Sequence, residues 1–568
     1  MRILLIQPPI EDFYYTPFRS QPLGLLYLAG VLLEEGFFVK ILDSLSPDER
    51  GRVRKKVIEF PSDFSYLKKY YRANKSPFSL FSNFYHFGLD WEEIYQEVRK
   101  FKPALVGVSS QFSAYFEEVK KVCALVKKAD KNIVVVVGGH HPTAMPFLVL
   151  KDKNIDFIIR GEAEFSFLKL CKSIQKANFR RLRIIEGIGY RKNRGFFLSP
   201  TLAKVENLNL LPSPPRELLN LRNYLFKNKV YTCLVSSRGC LFRCSFCEYS
   251  KQRAGFRYRE PISIIKEMKY CYNLGVRHFD FEDDNINLNP EFEELLRLII
   301  KKFSGKVSLS FMNGISTWGL SKRIIRLMRE AGLSHIDLSL VSRSSQLRRS
   351  LQRKEDLRKF SMILNFFKEI GISCCTHFIL GLPSQDKREV FSTLKFLASK
   401  PSFVGASVFY PVYNSKIFSK ISLKYQRKGK FKFYRSSSFF YDKELSRDEL
   451  ASFLYFSRII NFIKSLCMRY NIKYQNFRDF LDEVKYIFRI RPPQIKLNLL
   501  IVDSSLEKDL IGAIILCKIF EYKKIYWVEK LKKENSVYYK FNEDFPSPSL
   551  TSEFIRTIDN LNIEAPSF

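Results

Sequence analysis

Nowhere in the 568 residues does an apolar run approach the roughly 18 residues that a bilayer crossing requires. The stretches "IVVVV" and "LNLLIV" are strand-sized, so no membrane span is expected. The chain opens with "MRILLIQPP", which reads directly as a strand and lacks the pattern of a signal peptide. Cysteine is sparse: eleven are scattered along the chain, and only three form a tight group. That usage argues against a disulfide scaffold and for a reduced, cytoplasmic protein. No repeat of solenoid period is present.

Acidic residues are the other shortage. Against 94 Lys and Arg stand 58 Asp and Glu, a net charge of +36, and the excess is uneven. Residues 213–440 carry a balance of +23, residues 1–212 carry +11 and residues 441–568 only +2. The middle of the chain is therefore the part expected to meet anions. Lysine inflated by an AT-rich genome is the alternative source of the same excess. A length of 568 residues with 46% hydrophobic content suits two or three domains with sizeable cores.

What is present in quantity is alternation. "RILLIQ", "FVKILD", "LVGVSS", "IVVVVGG" and "FIIRGE" read as strands, with helices at "PLGLLYLAGVLLEEG" and "AYFEEVKKVCALVKKA". This pattern predicts an α/β, doubly wound Rossmann-like domain over residues 1–205, with parallel strands buried on both faces. Such sheets bind ligands beyond the carboxyl ends of their strands. Gln7-Pro8-Pro9, Ser109-Ser110-Gln111, Gly138-Gly139-His140 and Gly161-Glu162 occupy those ends and should converge on one crevice. The proline-rich "NLLPSPPREL" reads as a linker, placed at 206–225. From 226 to 440 six further strands, "YTCLVSS", "HFDFEDD", "VSLSFM", "HIDLSL", "SCCTHFIL" and "FVGASVFYP", alternate with helices, as in a partial or complete parallel barrel. Cys374 and Cys375 lie within one of these strands and read as packing. Residues 441–568 are expected to be mainly helical. There "SRDELASFLYFSRIINFIKSL" offers a Ser N-cap with Glu three residues later.

The three grouped cysteines are Cys240, Cys244 and Cys247, in "RGCLFRCSFCEYS". They follow the first barrel strand, on the face where barrel chemistry is located. A structural zinc ion takes four protein ligands, often from two Cys-x₂-Cys pairs, and the second pair is missing here. Inert core thiols would not be expected on a Gly-rich, Arg-flanked loop. A four-iron cluster takes a thiolate per iron, so three thiolates leave one iron open to a small molecule. The spacing Cys-x₃-Cys-x₂-Cys, with Phe246 before the last cysteine, resembles the signature of the radical S-adenosylmethionine (SAM) family. The resemblance implies that the open iron chelates the amino and carboxylate groups of SAM.

Further motifs extend that resemblance. "FEDDN" stands where the family places a motif for the SAM ammonium, which would involve Asp283 and Asp284; helix N-capping is their other reading. "FILGLP" resembles the fifth-strand motif near the adenine, with Gly381 allowing close backbone approach, and "VFYPVYNS" resembles the sixth-strand segment. Relatives of the subgroup commonly carry Glu-Ser after the fourth strand, where this chain has Val341-Ser342. Arg348 or Arg349 remains to meet the SAM carboxylate. The N-terminal strand ends, in their order, resemble the cobalamin-binding domain that precedes the barrel in one large radical SAM subgroup. The resemblance covers about residues 1–420.

No Asp-x-His-x-x-Gly motif supplies a histidine to cobalt. His140 and His141 are read as loop histidines bonded within the protein, in a loop that cradles the nucleotide tail. The resemblance thus implies a [4Fe-4S] cluster, SAM and cobalamin as cofactors. It implies a small-molecule substrate and an external electron donor such as flavodoxin or ferredoxin. The function it implies is a cobalamin-dependent radical SAM methyltransferase, passing methyl from SAM by way of methylcobalamin to an unactivated carbon. Cyclisation or oxidation without net methylation uses the same motifs. A basic RNA-modifying or RNA-binding protein is a third reading, resting on "KYQRKGKFKFYRS" at 424–436. The nearly neutral final segment argues against nucleic acid.

Overall fold

The computed structural model describes residues 1–16, 21–68, 70–71, 80–193, 195–248, 255–421, 431–440, 444–471, 500–503, 525–533 and 536–542. The N-terminal strands form one seven-stranded sheet. Its parallel part runs Phe38–Asp43, Arg2–Gln7, Leu105–Ser109, Val134–Gly138, Phe157–Ile159, which in chain order is 2-1-3-4-5. Two antiparallel strands, Ile188–Lys192 and Gly195–Leu198, extend the far edge. The strand order reverses between Arg2–Gln7 and Leu105–Ser109, and a crevice opens at such a reversal beyond the strand ends. Helices on both faces bury the apolar runs: Leu4, Ile6, Val106 and Val135 pack on one side, Ile3, Leu5 and Val136 on the other. Between 44 and 90 the aromatic-rich insertion contributes to a small antiparallel sheet of Ile10–Asp12, Phe84–Phe87 and Lys55–Ile58.

All six expected barrel strands form. Lys229–Leu234, His278–Phe281 and Ser308–Ser310 pair in parallel. His335–Val341, Ser373–Leu380 and Phe403–Val408 make a second parallel set. Isolated bridges Leu309–Leu333 and Ile315–Leu338 join the two halves into a partial barrel. The interstrand helices Pro261–Asn273, Phe292–Phe303, Lys322–Glu330, Leu357–Glu369 and Lys387–Ala398 cover it, and their apolar faces share one core with alternate strand residues such as Phe279, Leu309, Ile336, Cys374 and Phe378.

The sixth strand would leave an unpaired edge, a liability that sheets must cover. The helix Arg447–Tyr470 covers it. Asn461 accepts the Val404 N–H at 2.7 Å and donates to the Val404 carbonyl at 2.8 Å, doing with a side-chain amide what a neighbouring strand would do. Buried Lys464 donates to the carbonyls of Leu397, Lys400 and Ser402. The helix starts as expected, with a capping box between Ser446 and Glu449. It is long and apolar enough to cross a membrane by length and composition, but 67% of its apolar stretch is buried inside the fold. The described residues beyond it, Leu500–Asp503, Ile525–Lys533 and Ser536–Asn542, form a small sheet.

The proline-rich linker is anchored rather than loose. Arg216 is fully buried, and its guanidinium donates to the Cys233 carbonyl at 2.6 Å and to Glu267 at 3.0 Å. The other oxygen of Glu267 takes Arg259 at 2.6 Å. One carboxylate is therefore shared by two buried guanidiniums, one from the linker and one just past the strand Arg257–Tyr258 that follows the cysteine loop. Removing one partner of such a group leaves charge buried without compensation, at a cost of about 3–5 kcal/mol. Glu267→Gln is expected to lower stability by roughly that amount in urea unfolding followed by circular dichroism. A shift below about 1 kcal/mol would show that the network is not structural.

Candidate active site

The cysteine loop leaves the first barrel strand through Ser236 and Ser237. Gly239 turns it at φ +92°, and a Cβ there would stand 2.4 Å from the Gly255 carbonyl oxygen, so the turn needs glycine. Loops after strands four and six then hold the segment: Ser245 donates to the Leu351 carbonyl at 2.9 Å, and Ile417 donates to the Ser245 carbonyl at 2.8 Å. Cys244 is buried, Cys240 and Cys247 are partly exposed, and all three are free thiols. Burial pushes the Cys240 thiol above its usual range, with the Asp284 charge adding to it. The donor set is three thiols on one loop. That fits a four-iron cluster with one open iron and does not complete a structural zinc site.

The two aspartates of "FEDDN" brace this loop. Asp283 is buried and accepts from the Ser236 N–H, the Ser236 hydroxyl and the Ser237 hydroxyl at 3.0, 2.7 and 2.5 Å. Burial pushes its carboxyl up to about 6 in spite of those bonds. Asp284 accepts the Gly239 N–H at 2.9 Å, one residue before Cys240. Neither caps the next helix, which begins at Phe292 after Glu291. Gly381 has φ +87°, and its N–H donates to Gln385; a Cβ there would meet Leu450 at 2.8 Å. Of the two arginines considered for SAM, Arg348 is buried and spends its guanidinium on the carbonyls of Ser342 and Arg343, while Arg349 is exposed. Arg353, which the sequence did not single out, lies nearer. Its charge acts on Cys240, and it stands 5.2 Å over the Phe242 ring.

The strand ends of the N-terminal sheet face the same loop. Ser110 donates to the Gly138 carbonyl at 2.8 Å. Gly139 sits at φ +117°, and a Cβ on it would stand 2.6 Å from the Ser110 carbonyl oxygen. Thr143 links the Gly139 carbonyl to the Gly161 N–H at 2.7 and 2.9 Å. Pro8 is buried, and Gln7 and Ser109 close their strands partly exposed. His140 opens the helix His140–Ala144, and its Nδ1 stands 3.1 Å from Glu248, the residue after Cys247. His141 is buried, with Nδ1 2.8 Å from the Ser113 hydroxyl. Both histidines are thus bonded within the protein. Glu162 binds Arg257 through both oxygens at 2.7 Å, and Glu164 binds Arg238 at 2.6 Å. Apolar residues complete the contact: Val341, Leu382, Phe409 and Tyr413 at the barrel mouth share a buried cluster with Ile6, Val108 and Phe116, and Phe246 packs against it. The described part of the basic run 424–436 also joins this interface. Arg435 is buried on Asp12 and the carbonyls of Glu11 and Ala114, so it is not a free phosphate contact; residues 424–430 lie outside the described residues.

Comparison with known proteins agrees with this geometry. Residues 234–397 match the Radical SAM superfamily and residues 81–170 match the B12 binding domain. The chain carries a B12-binding domain followed by a radical SAM domain. It is a radical SAM enzyme, and its cofactors are a [4Fe-4S] cluster, SAM and cobalamin.

Three relatives frame its chemistry. An uncharacterized methyltransferase of Pyrococcus horikoshii is 27% identical over 70% of this chain and 77% of its own. Cytidylyl-2-hydroxyethylphosphonate methyltransferase of Streptomyces wedmorensis is 25% identical over 67% and 73%. The anaerobic magnesium-protoporphyrin IX monomethyl ester cyclase of Rubrivivax gelatinosus is 25% identical over 64% and 66%. The cobalamin-dependent SAM radical enzyme OxsB, solved with aqua-cobalamin and SAM, shares the fold at a TM-score of 0.59 and 13% identity, covering 92% of this chain and 75% of that one.

In the B12-binding domain, burial pulls His141 down to about 3, so it stays neutral in the folded protein. The unfolded chain would protonate it near 6.5, so it binds a proton between about pH 6.5 and 3 that the folded chain refuses. Stability therefore falls as pH drops through that window, by about 2 kcal/mol from pH 7 to 5 for this one group. His141→Gln should flatten the pH dependence of the urea midpoint by up to one proton. An unchanged slope would mean that His141 is protonated in the fold.

Proposed function

We propose that the protein is a cobalamin-dependent radical SAM methyltransferase that moves methyl from SAM to an unactivated carbon of a small anionic intermediate. The observation that carries the reading is the 3.1 Å pairing of His140 with Glu248. It joins the loop after the strand Val134–Gly138 to the loop of the three cysteines, which supports a reaction that uses both sites. A radical initiator alone would account for hydrogen abstraction but not for a corrinoid domain pressed against it. A corrinoid domain alone would suit a nucleophilic acceptor.

In this reading Cys240, Cys244 and Cys247 would hold the cluster. Ser109, Ser110, Gly138, Gly139 and Gly161 would line the corrinoid crevice. Asp284 would face the SAM ammonium while holding the Gly239 N–H. When bound, the cluster with SAM supplies a radical initiator, and cobalamin supplies a methyl carrier. The chain's own work is placement: the apolar cluster around Val341, Phe409 and Tyr413 excludes water, and the ion pairs fix the spacing of the two sites. Electrons come from an external reductant, for which flavodoxin or ferredoxin would serve. The +23 balance of residues 213–440 supports an anionic substrate.

The second reading, cyclisation or oxidation without net methylation, is favoured by the relatives named as cyclases. Anaerobic incubation of candidate substrates with reductant and methyl-labelled SAM separates the two. Label in the product, with S-adenosylhomocysteine and 5′-deoxyadenosine both formed and all turnover lost in the Cys240→Ala, Cys244→Ala, Cys247→Ala triple variant, is the expected result. An unlabelled cyclised or oxidised product would refute methyl transfer.

Because His140 and His141 are engaged elsewhere, cobalamin bound to this chain should carry no imidazole on cobalt. Electron paramagnetic resonance of the cobalt(II) form should lack nitrogen splitting from a protein histidine. Splitting that vanishes in His140→Ala would overturn this expectation.

A further inference from the structure

Side chains alternate between the two faces along His335–Ser339, before the register shift at Ser339/Val341, and along Ser373–Leu380. Ile336, Leu338, Leu340, Cys374, Phe378 and Leu380 enter the core beneath the helices. Their neighbours Asp337, Cys375 and His377 consequently face the interior of the partial barrel, since successive strand residues point to opposite sides. Asp337 and Cys375 are direct partners across the two parallel strands, and His377 follows Cys375 by two residues on the same face. Their ligating atoms all lie within 4.8 Å of one another, with Asp337 Oδ1 2.9 Å from His377 Nε2.

Three more features shape the place. Gly405 pairs with His377 on the sixth strand, and a Cβ there would come within 2.4 Å of the imidazole Nδ1, so a side chain at 405 would displace the ring. His335 is oriented by Ser373, whose hydroxyl lies 3.0 Å from its Nδ1, and its Nε2 approaches Asp337 Oδ1 at 3.6 Å. The site is also reachable from solvent, because the His377 side chain is 43% exposed. One thiol, one imidazole and one carboxylate are the mixed donors that zinc accepts. In a tetrahedron their atoms stand roughly 3.4–3.8 Å apart, which the observed grouping reaches with small side-chain adjustment.

We propose that Asp337, Cys375 and His377 form a binding site for a thiophilic divalent ion such as zinc, inside the barrel and separate from the Cys240 loop. The ion replaces the proton between Asp337 and His377 and the thiol proton of Cys375, so binding releases protons to solvent. Three protein ligands leave the fourth position open toward the barrel interior, for water or an oxygen of a molecule held there. His335 supports Asp337 from outside the ligand set. The site stands whichever reaction the enzyme performs.

The test uses the full chain with its iron–sulfur cluster, purified anaerobically, exposed to zinc and then dialysed. Zinc and iron are counted by mass spectrometry, and the zinc X-ray absorption edge reports its ligands. The expected result is one zinc per chain with a single sulfur at about 2.3 Å and nitrogen or oxygen otherwise. Retained zinc should fall at least tenfold in Cys375→Ser and in His377→Gln while iron is unchanged. Zinc far below one per chain in the wild type, a shell without sulfur, or zinc retained by both variants would overturn the site. A three-sulfur shell would place the ion on the Cys240 loop and overturn it equally. The absorption result on the wild type stands even where a variant fails to fold.

Discussion

Arg238 and Arg257 flank the cysteine loop from opposite sides, and both are held by carboxylates of the other domain, Glu164 and Glu162. These pairs hold the cysteine loop against the strand ends of the N-terminal sheet. Burial works against charge on Glu162, yet Arg257 and Arg238 hold its carboxyl below the usual range. Bidentate pairing of this kind fixes direction as well as distance, which a single lysine would not do. Gly161, at φ +88° and bridged to Ala203, sets the turn that aims Glu162 across the cleft. The backbone turn at this strand end and the aim of the clamp are thus one feature, and a reaction between two bound groups needs such fixed placement.

How legible this was in the sequence depends on the range of each interaction. Parallel strands buried on both faces read as unbroken apolar runs, so "RILLIQ" and "FVKILD" coincide with the strands found. The cysteine loop is legible because its three cysteines lie within eight residues, and the cap at Ser446 because it is a contact over three. The partner of Glu162 was not legible: Arg257 stands 95 residues away, and no local pattern announces an ion pair at that separation. The sequence places Asp283 and Asp284 after the second barrel strand, and the structure gives their carboxylates bonds to Ser236, Ser237 and Gly239 that only the folded loop reveals. Arg216, inside a stretch that reads as linker, is another such case. Its burial follows from Glu267, which a composition argument cannot see.

The adjacent cysteines 374 and 375 mark the same boundary from within one strand. Read as a pair they suggested packing. Read with period two, "SCCTHFIL" assigns Cys374 to the core with Phe378 and Cys375 to the barrel interior with His377, as the structure has it. "HIDLSL" carries the complementary signal, placing His335 and Asp337 opposite Ile336 and Leu338. The signal was present, but it needed the strand face as well as the strand.

Val341, at the position where the family resemblance implies Glu, adopts φ +72°, a conformation that a β-branched residue rarely takes. The register of strands four and five shifts between Ser339 and Val341, so the chain leaves the barrel with an added bend. That bend directs Ser342 onto Glu389 and lets Arg348 gather the carbonyls of Ser342 and Arg343. The turn so tied runs on to Leu351, whose carbonyl holds the Ser245 N–H between Cys244 and Cys247. The Val341 side chain, together with Leu347 and Leu351, is meanwhile buried in the apolar cluster shared with the N-terminal sheet. Strain of about 1–3 kcal/mol at one residue persists only where its surroundings over-determine it. Here three polar ties and one apolar cluster do so. The Val341 side chain itself is apolar and buried. It serves the site from a distance, by fixing the loop that carries the cysteines.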